Sequence, residues 1–461
     1  MKARSLSWIA QATSGRLVGD DRVVDAVATD TRALPQGCDA LFVALKGGNF
    51  DGHDHVAAAA AGGCVAALLA REVDAPIAQV IVADTERALG DLAAAVQRER
   101  ATRVLAITGS NGKTSVKTLL LSILDQVGGA YANPGNRNNE IGLPLAVLDA
   151  PEDARFAVYE MGAGKPGDIA YLTAIARPDV ALVNNIAPAH LQRMGSLLGI
   201  ADTKAAIYDA LPADGVAVVN ADDAFAPYLT ERAHGRRIVR IGLAASADIT
   251  AREIHADGDG SRFLLVTPRG EAAIDLPMPG RHNVRNALAA AAMALGAGAS
   301  LEQVRAGLDA VQPVAGRQVA HRLRNGAVLV DDSYNANPGS LDAAIDTLAA
   351  SGANAWLVLG DMRELGADEV ALHAQAGARA KAAGIARLYT LGALSEAATI
   401  AFGEGARDFA SHAELADTLA RELHAGVRVL VKGSRGSAMD RIVKALLGSD
   451  AAVEKGEADA A

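Results

Sequence analysis

The run Thr108-Gly109-Ser110-Asn111-Gly112-Lys113-Thr114 constrains this chain more than any other segment. It follows a strand-like stretch, Arg103–Thr108, and opens a helical one, Thr114–Val127. A glycine-rich turn between strand and helix lets backbone N–H groups point at an anion, and the helix N-terminus adds a partial positive charge. In that setting Thr108, Gly109, Ser110, Asn111, Gly112 and Ser115 frame a nucleotide-phosphate loop. Lys113 reaches the outer phosphates and the Thr114 hydroxyl ligates Mg²⁺. The generic pattern wants a glycine at position 107, where this chain has Ile107. The motif by itself says "nucleoside triphosphate" and no more; the bland alternative is an ordinary strand-to-helix turn with a lysine.

What surrounds the loop predicts an α/β protein of three domains. The chain has 461 residues, about three typical domain lengths. Residues 1–100 are mixed, with strand-like runs Ala40–Leu45 and Val80–Ala83 and a helical pattern over Asp84–Arg100, and read as a small α/β N-terminal domain. Residues 101–312 alternate strand candidates (Phe156–Glu160, Val180–Asn184, Val216–Asn220, Arg237–Ile241) with helical stretches. That pattern predicts a central P-loop, ATPase-like domain on a mainly parallel sheet. The helical runs Asn283–Leu295 and Leu301–Val311 close it. After a linker at Pro313–Gly316, residues 313–448 alternate again and predict a C-terminal Rossmann-like domain. The tail 449–461, rich in Ala, Asp, Glu and Gly, is expected to be disordered.

Composition closes off several function classes. With 44 basic against 54 acidic residues, net −10, the chain does not present itself as a nucleic-acid or anionic-membrane binder. Its two cysteines, Cys38 and Cys64, form no CxxC pair, which argues against a disulfide framework or zinc site and fits a reducing cytosol. Met1–Leu17 lacks the continuous apolar stretch of a signal peptide, and no charge-free apolar run reaches the ~18 residues of a membrane span. A cytoplasmic monomer without membrane insertion is the expectation. A GTPase would show an Asn-Lys-x-Asp base-reading motif, and none is present.

Several polar side chains stand where the strands of an α/β sheet end, the edge that carries function in such folds. Glu160 ends a buried-looking strand, and its carboxylate is suited to Mg²⁺, a cation that prefers oxygen. A capping or salt-bridged glutamate is the plain alternative. His190 follows the strand Val180–Asn184, and Lys204 lies near the start of an amphipathic helix. A solvated histidine and a solvated lysine are the simpler readings of both. Asn283 and Asn286 fall on one helix face. Tyr334, Asn335 and Asn337 sit past one strand, and Lys432, Ser434 and Arg435 past another, where a basic turn suits a carboxylate.

The loop variant Thr-Gly-Ser-Asn-Gly-Lys-Thr resembles the ATP loop of the Mur ligases and their folylpolyglutamate synthetase relatives, in which the first P-loop glycine is absent. Other segments match in the family's order along nearly the whole chain. They include Thr29-Asp30-Thr31-Arg32, Leu41–Gly47, Gly135–Gly142, Glu160-Met161-Gly162, Asn184–His190, Gly280–Ala287, Asp331–Pro338, Gly360–Gly366 and Lys432–Gly436. The strings Asp332-Ser333-Tyr334-Asn335-Ala336-Asn337-Pro338 and Gly360-Asp361-Met362-Arg363-Glu364-Leu365-Gly366 favour the branch that adds a dipeptide. The short Asp-Asn-Pro-Arg-type signature of the sibling branch that adds one amino acid is not found.

The resemblance implies an ATP- and Mg²⁺-dependent ligase that joins D-Ala-D-Ala to UDP-MurNAc-tripeptide through an acyl phosphate. It implies Mg²⁺ ligation by Glu160, by His190 and by Lys204 once carbamylated. Further implied contacts are Asn286 to adenine, Arg317 to ATP from the third domain, and Asp332 to the ribose side. Asn138, Asn139 and Glu140 would hold the peptide of the first substrate. Thr31, Arg32 and Lys46 would meet the uridine diphosphate, and Tyr334, Asn335, Asn337, Lys432, Ser434 and Arg435 the dipeptide. The N-terminal domain would bind the UDP moiety and the C-terminal domain the dipeptide.

Overall fold

The computed structural model describes residues 1–188, 191–352 and 354–448, so His190 and the tail 449–461 lie outside the described residues. Three α/β units follow one another. The first holds a five-stranded sheet in the order Arg16–Val18, Ala78–Ile81, Cys64–Leu69, Ala40–Val43, Ala26–Ala28. Its pairings are parallel except at the Arg16–Val18 edge. The second holds a six-stranded, wholly parallel sheet: Arg237–Ile241, Val216–Asn220, Val180–Val183, Arg103–Thr108, Phe156–Glu160, Tyr131–Ala132. The third is also six-stranded, with one antiparallel edge, in the order Val319–Arg322, Val328–Asp332, Arg428–Lys432, Ala355–Gly360, Arg387–Leu391, Ala406–Phe409.

The central strands are apolar at successive positions because helices cover both faces of a parallel sheet. Leu105 and Ile107 face the helices Lys113–Asp125 and Arg281–Gly296. Val104 and Ala106 face the other way, into a core that runs without a break into the first unit through Leu41, Val43, Leu89 and Leu92. Helix Thr85–Arg98, capped by the Asp84 carboxylate, joins the two by packing on helices Gly142–Asp149 and Asp168–Ala176. With 3% aromatic residues, these cores are filled by alanine and branched aliphatics; eight of the residues from Ala287 to Leu295 are Ala or Leu, and all are buried. The third unit keeps its own apolar cores on the two faces of its sheet.

One element departs from the expected helix–strand alternation. Thr250–Ala256, Ser261–Thr267 and Gly270–Leu276 form an antiparallel three-stranded meander. The turn at its first hairpin touches the third unit: Arg428 Nη1 donates to Gly258 O at 2.6 Å and Nη2 to Asp259 Oδ1 at 2.9 Å. A Cβ on Gly258 would stand 2.5 Å from Arg428 Cζ, so any side chain there would push the guanidinium off the turn.

Candidate active site

The C-terminal ends of the central strands meet the third unit in a cleft of about 820 Å³. The loop after Arg103–Thr108 is held by the loop after the neighbouring strand. Ser110 N donates to Asn185 O (3.0 Å), Asn111 N to Asn185 Oδ1 (2.8 Å), and Ser110 Oγ to Ala187 O (2.8 Å). Gly112 has φ +78°, and a Cβ there would lie 2.6 Å from both Asn184 Nδ2 and Asn286 Oδ1. Only glycine satisfies that backbone and that crowding together. Helix Lys113–Asp125 starts at this glycine with no side-chain cap, so its first N–H groups stay open to the cleft.

Glu160, 5% exposed, is the electrostatic centre. Thr114 Oγ1 donates to its Oε2 (2.8 Å), Asn138 Nδ2 to its Oε1 (3.0 Å), and Lys117 Nζ stands 3.4 Å away. Burial opposes its charge, but Lys113, Lys117, the Thr114 hydroxyl and Arg317 outweigh burial and hold its pKa below the usual carboxylate value. Lys113 donates to Gly109 O at 2.8 Å; burial pushes its pKa down, against the pull of Glu160. Arg317, from the third unit, donates to Thr114 Oγ1 at 2.9 Å, so one hydroxyl is shared between two units. Asn337 Nδ2 donates to Asn111 Oδ1 at 2.7 Å and ties the same units a second time.

Lys204 lines the cleft and is 3% exposed. It sits in the last turn of helix Leu197–Ala205, not near a helix start as its sequence context predicts, and it is not the solvated lysine of the simpler reading. The short helix ends at Ala205, and the chain continues in turns to Leu211. Its ammonium makes no hydrogen bond or ion pair among the described residues, and burial, aided by Lys113, lowers its pKa to about 7. His282, at the start of helix Arg281–Gly296, is half-buried and lines the cleft. Burial, then Lys432 and Arg285, lower its pKa to about 4, so it is neutral near pH 7.

The other predicted residues divide. Ser110, Asn111, Thr114, Ser115, Asn138, Asn139, Glu140, Asn286, Arg317, Asp332, Tyr334, Asn335, Asn337 and Lys432 all border the cleft. Asn286 is already engaged: its Oδ1 accepts from Asn184 Nδ2 and its Nδ2 donates to Asn283 Oδ1, each at 3.1 Å. Asn139 Oδ1 accepts from Gly142 N. Thr108 gives its hydroxyl to Met161 O and lies beneath the loop. Tyr334 is flanked by Arg317 and Arg435, at 4.4 and 5.6 Å from its ring centre.

Lys432 is not solvated: it is buried and donates to Asp332 Oδ2 (2.8 Å) and Asn335 O (3.0 Å). Burial still raises the pKa of Asp332 despite that partner. Ser434 is buried and bonded to Ala336 O, and Arg435 is exposed outside the cleft lining. Thr31, Arg32 and Lys46 lie away from the cleft, with Arg32 folded onto Asp30 (2.7 Å).

Sequence reasoning passed over Lys117 and Asn133. Asn133 brackets Glu160 by accepting from its N–H (2.9 Å) and donating to its C=O (3.0 Å). Lys117 carried a usable signal, since it stands one helical turn after Lys113 on the same face. Asn133 carried none; its partner is 27 residues away.

Comparison with known proteins agrees with this geometry. The Mur ligase middle domain matches residues 107–294, and the Mur ligase, glutamate ligase domain matches residues 316–435. The UDP-N-acetylmuramoyl-tripeptide–D-alanyl-D-alanine ligase of Escherichia coli (strain K12) is 44% identical over 445 residues, covering 96% of this chain and 98% of its own. Among solved structures, the UDP-N-acetylmuramoylalanyl-D-glutamyl-2,6-diaminopimelate–D-alanyl-D-alanyl ligase from Acinetobacter baumannii superposes with a TM-score of 0.88. It is 34% identical, with 97% of this chain and 99% of that one covered. The MurF ligase from Thermotoga maritima, solved in complex with ADP, gives a TM-score of 0.84 at 26% identity, covering 92% and 97%. By sequence and by fold, this chain belongs to the Mur ligase family.

Proposed function

We propose that this chain joins D-alanyl-D-alanine to UDP-N-acetylmuramoyl-tripeptide at the expense of ATP. The observation that carries the reading is the Thr114 hydroxyl, bonded to Glu160 on one side and to Arg317 of the third unit on the other. A site completed only when two units meet is suited to a reaction that must bring three substrates together while excluding water. The relatives named above act on this nucleotide-linked peptide and dipeptide, and one of them holds ADP.

A carboxylate is a poor electrophile, so the ligase reaction runs in two steps. The tripeptide carboxylate attacks the γ-phosphorus and ADP leaves; the dipeptide amine, having lost its proton, then attacks the acyl carbon and phosphate leaves. Lys113 and the backbone N–H groups at 109–113 neutralise and align the phosphates. Arg317 adds charge from the third unit, and Asn138, Asn139 and Glu140 position the peptide. Asp332 faces the nucleotide's ribose side and Asn286 its base. Tyr334, Asn335 and Asn337, with Lys432, Ser434 and Arg435 behind them, shape the dipeptide end, and Thr31, Arg32 and Lys46 the uridine end.

The residues present fit Mg²⁺. Thr114 and Glu160 offer oxygen donors, and among the described residues no cluster of three or more His, Cys, Asp or Glu competes as a metal cage. Such a sparse oxygen set matches a cation held by one or two carboxylates together with phosphates. Mg²⁺, when bound there, neutralises phosphoryl charge. Lys204, with its pKa near 7, exposes a neutral amine able to take up CO₂ as a carbamate, a further oxygen ligand. No helix among the described residues is long and apolar enough to cross a membrane. A reaction that consumes ATP and a nucleotide-linked peptide belongs in the cytoplasm.

Mass spectrometry of a mixture of UDP-MurNAc-tripeptide, D-Ala-D-Ala, ATP and Mg²⁺ tests the reading. The expected result is the pentapeptide nucleotide, with one ADP and one phosphate per product. AMP and pyrophosphate as products, or coupling of single amino acids in place of the dipeptide, would overturn it. Lys113→Ala is expected to keep the fold and lose on the order of 10³-fold in turnover.

A further inference from the structure

The cations around the cleft are not equivalent. Lys113 and Arg317 are bonded to the phosphate loop, Lys432 to Asp332, and Arg285 lies 3.8 Å from Asp222. Lys165 and Arg193 also border the cleft, are exposed, and make no side-chain hydrogen bond or ion pair among the described residues. The backbone around Lys165, by contrast, is well held. Strand Phe156–Glu160 runs on past the catalytic edge: Met161 O accepts from Thr108 Oγ1, Gly162 N donates to Asn138 O, and Asp168 Oδ2 accepts from Gly164 N (2.8 Å) and Lys165 N (3.0 Å). Arg193, on helix Leu191–Met194, brings Nη1 to 3.8 Å from where a Cβ on Gly164 would sit. Asp168 and Glu140 line the same cleft, Glu86 feels the charge of Lys165, and helix Leu191–Met194 packs on the turn Gly366–Asp368; none of these acids forms an ion pair with either cation among the described residues.

Two exposed cations with no hydrogen-bond or ion-pair partner among the described residues, on the rim of the cleft that segment 138–140 also lines, are matched to an anion supplied by the substrate. A peptide of the composition alanyl-D-glutamyl-2,6-diaminopimelate keeps two carboxylates that never react: one on the glutamyl residue, and the second on diaminopimelate. We propose that Lys165 and Arg193 clamp a spectator carboxylate of the tripeptide and so fix its reacting carboxyl relative to Glu160 and the phosphate loop. This rests on the function proposed above. A carboxylate matched by guanidinium and ammonium gains charge-assisted hydrogen bonds, while the reacting carboxyl is left for the phosphoryl group.

The test is steady-state phosphate release by the full chain with ATP and D-Ala-D-Ala, using tripeptide nucleotides ending in diaminopimelate or in lysine. Lys165→Ala/Arg193→Ala is expected to raise KM for the tripeptide nucleotide by about tenfold or more, leaving KM for ATP within about twofold; Arg193→Lys in an otherwise native chain should recover part of the loss. A rise confined to the diaminopimelate substrate assigns the clamp to that residue's second carboxylate, and an equal rise with both assigns it to the glutamyl carboxylate. A double variant that melts like the parent yet keeps its KM for both nucleotides overturns the clamp. If the parent itself releases no phosphate with either nucleotide, it is the functional reading that fails.

Discussion

The central unit meets its two neighbours in opposite ways. Toward the first unit the contact is apolar and continuous, with Val104, Ala106 and Tyr159 sharing one core with Leu41, Leu89 and Leu92. Toward the third unit the ties described here are polar: Arg317 to Thr114, Asn337 to Asn111, and Arg428 to Gly258 and Asp259, with His282 half-buried in the cleft between the units. Apolar burial stabilises a junction by area and has no alternative partner but water, whereas each polar tie exchanges for a water hydrogen bond at a net gain of roughly 1 kcal/mol. By this measure the first junction costs more to open than the second.

The largest expected effect comes from breaking the apolar junction. Leu92→Ala, fully buried on helix Thr85–Arg98, should cost about 2–5 kcal/mol in urea or thermal unfolding and lower the stability of the first two units together. Separate transitions for those units in the native chain would contradict a shared core. Next comes the polar junction. Arg317→Ala should change unfolding by no more than about 1 kcal/mol, yet raise KM for ATP about tenfold and expand the particle in small-angle scattering.

The smallest effect concerns His282. Its folded pKa, about 4, lies below the ordinary 6.5, so the folded state binds fewer protons than the unfolded one between those values. The stability this contributes is complete above pH 6.5 and is lost as pH falls toward 4. Between pH 7 and pH 5.5 the loss should be about 1 kcal/mol, and His282→Asn should flatten that part of the profile.

The central sheet was legible because its strands are short apolar runs punctuated by helices; Arg103–Thr108, Phe156–Glu160, Val216–Asn220 and Arg237–Ile241 fall where the pattern predicts. The meander over 250–276 was not. Its strands Thr250–Ala256 and Gly270–Leu276 carry Arg, Glu, His and Asp on the solvent side, which dilutes the apolar signal. Of the site, the phosphate loop was readable from its local motif; Glu160 was marked only by its place at a strand end, and its metal role follows from the family resemblance alone. Lys432 was misjudged in its simpler reading because exposure depends on Asp332, a partner 100 residues away that no local window contains. Lys204 was placed on a helix but at its wrong end, since nothing local marks the stop at Ala205.

The strand Arg428–Lys432 ends in the cleft at Lys432 and begins, at the far side of its sheet, with the arginine that grips the hairpin turn. The third unit thus meets the central one at both ends of a single strand, beside the phosphate loop and at the hairpin turn. Loss of the contacts at the loop alone would leave Arg428 on the hairpin turn, so the meander gives the third unit an anchorage independent of the cleft.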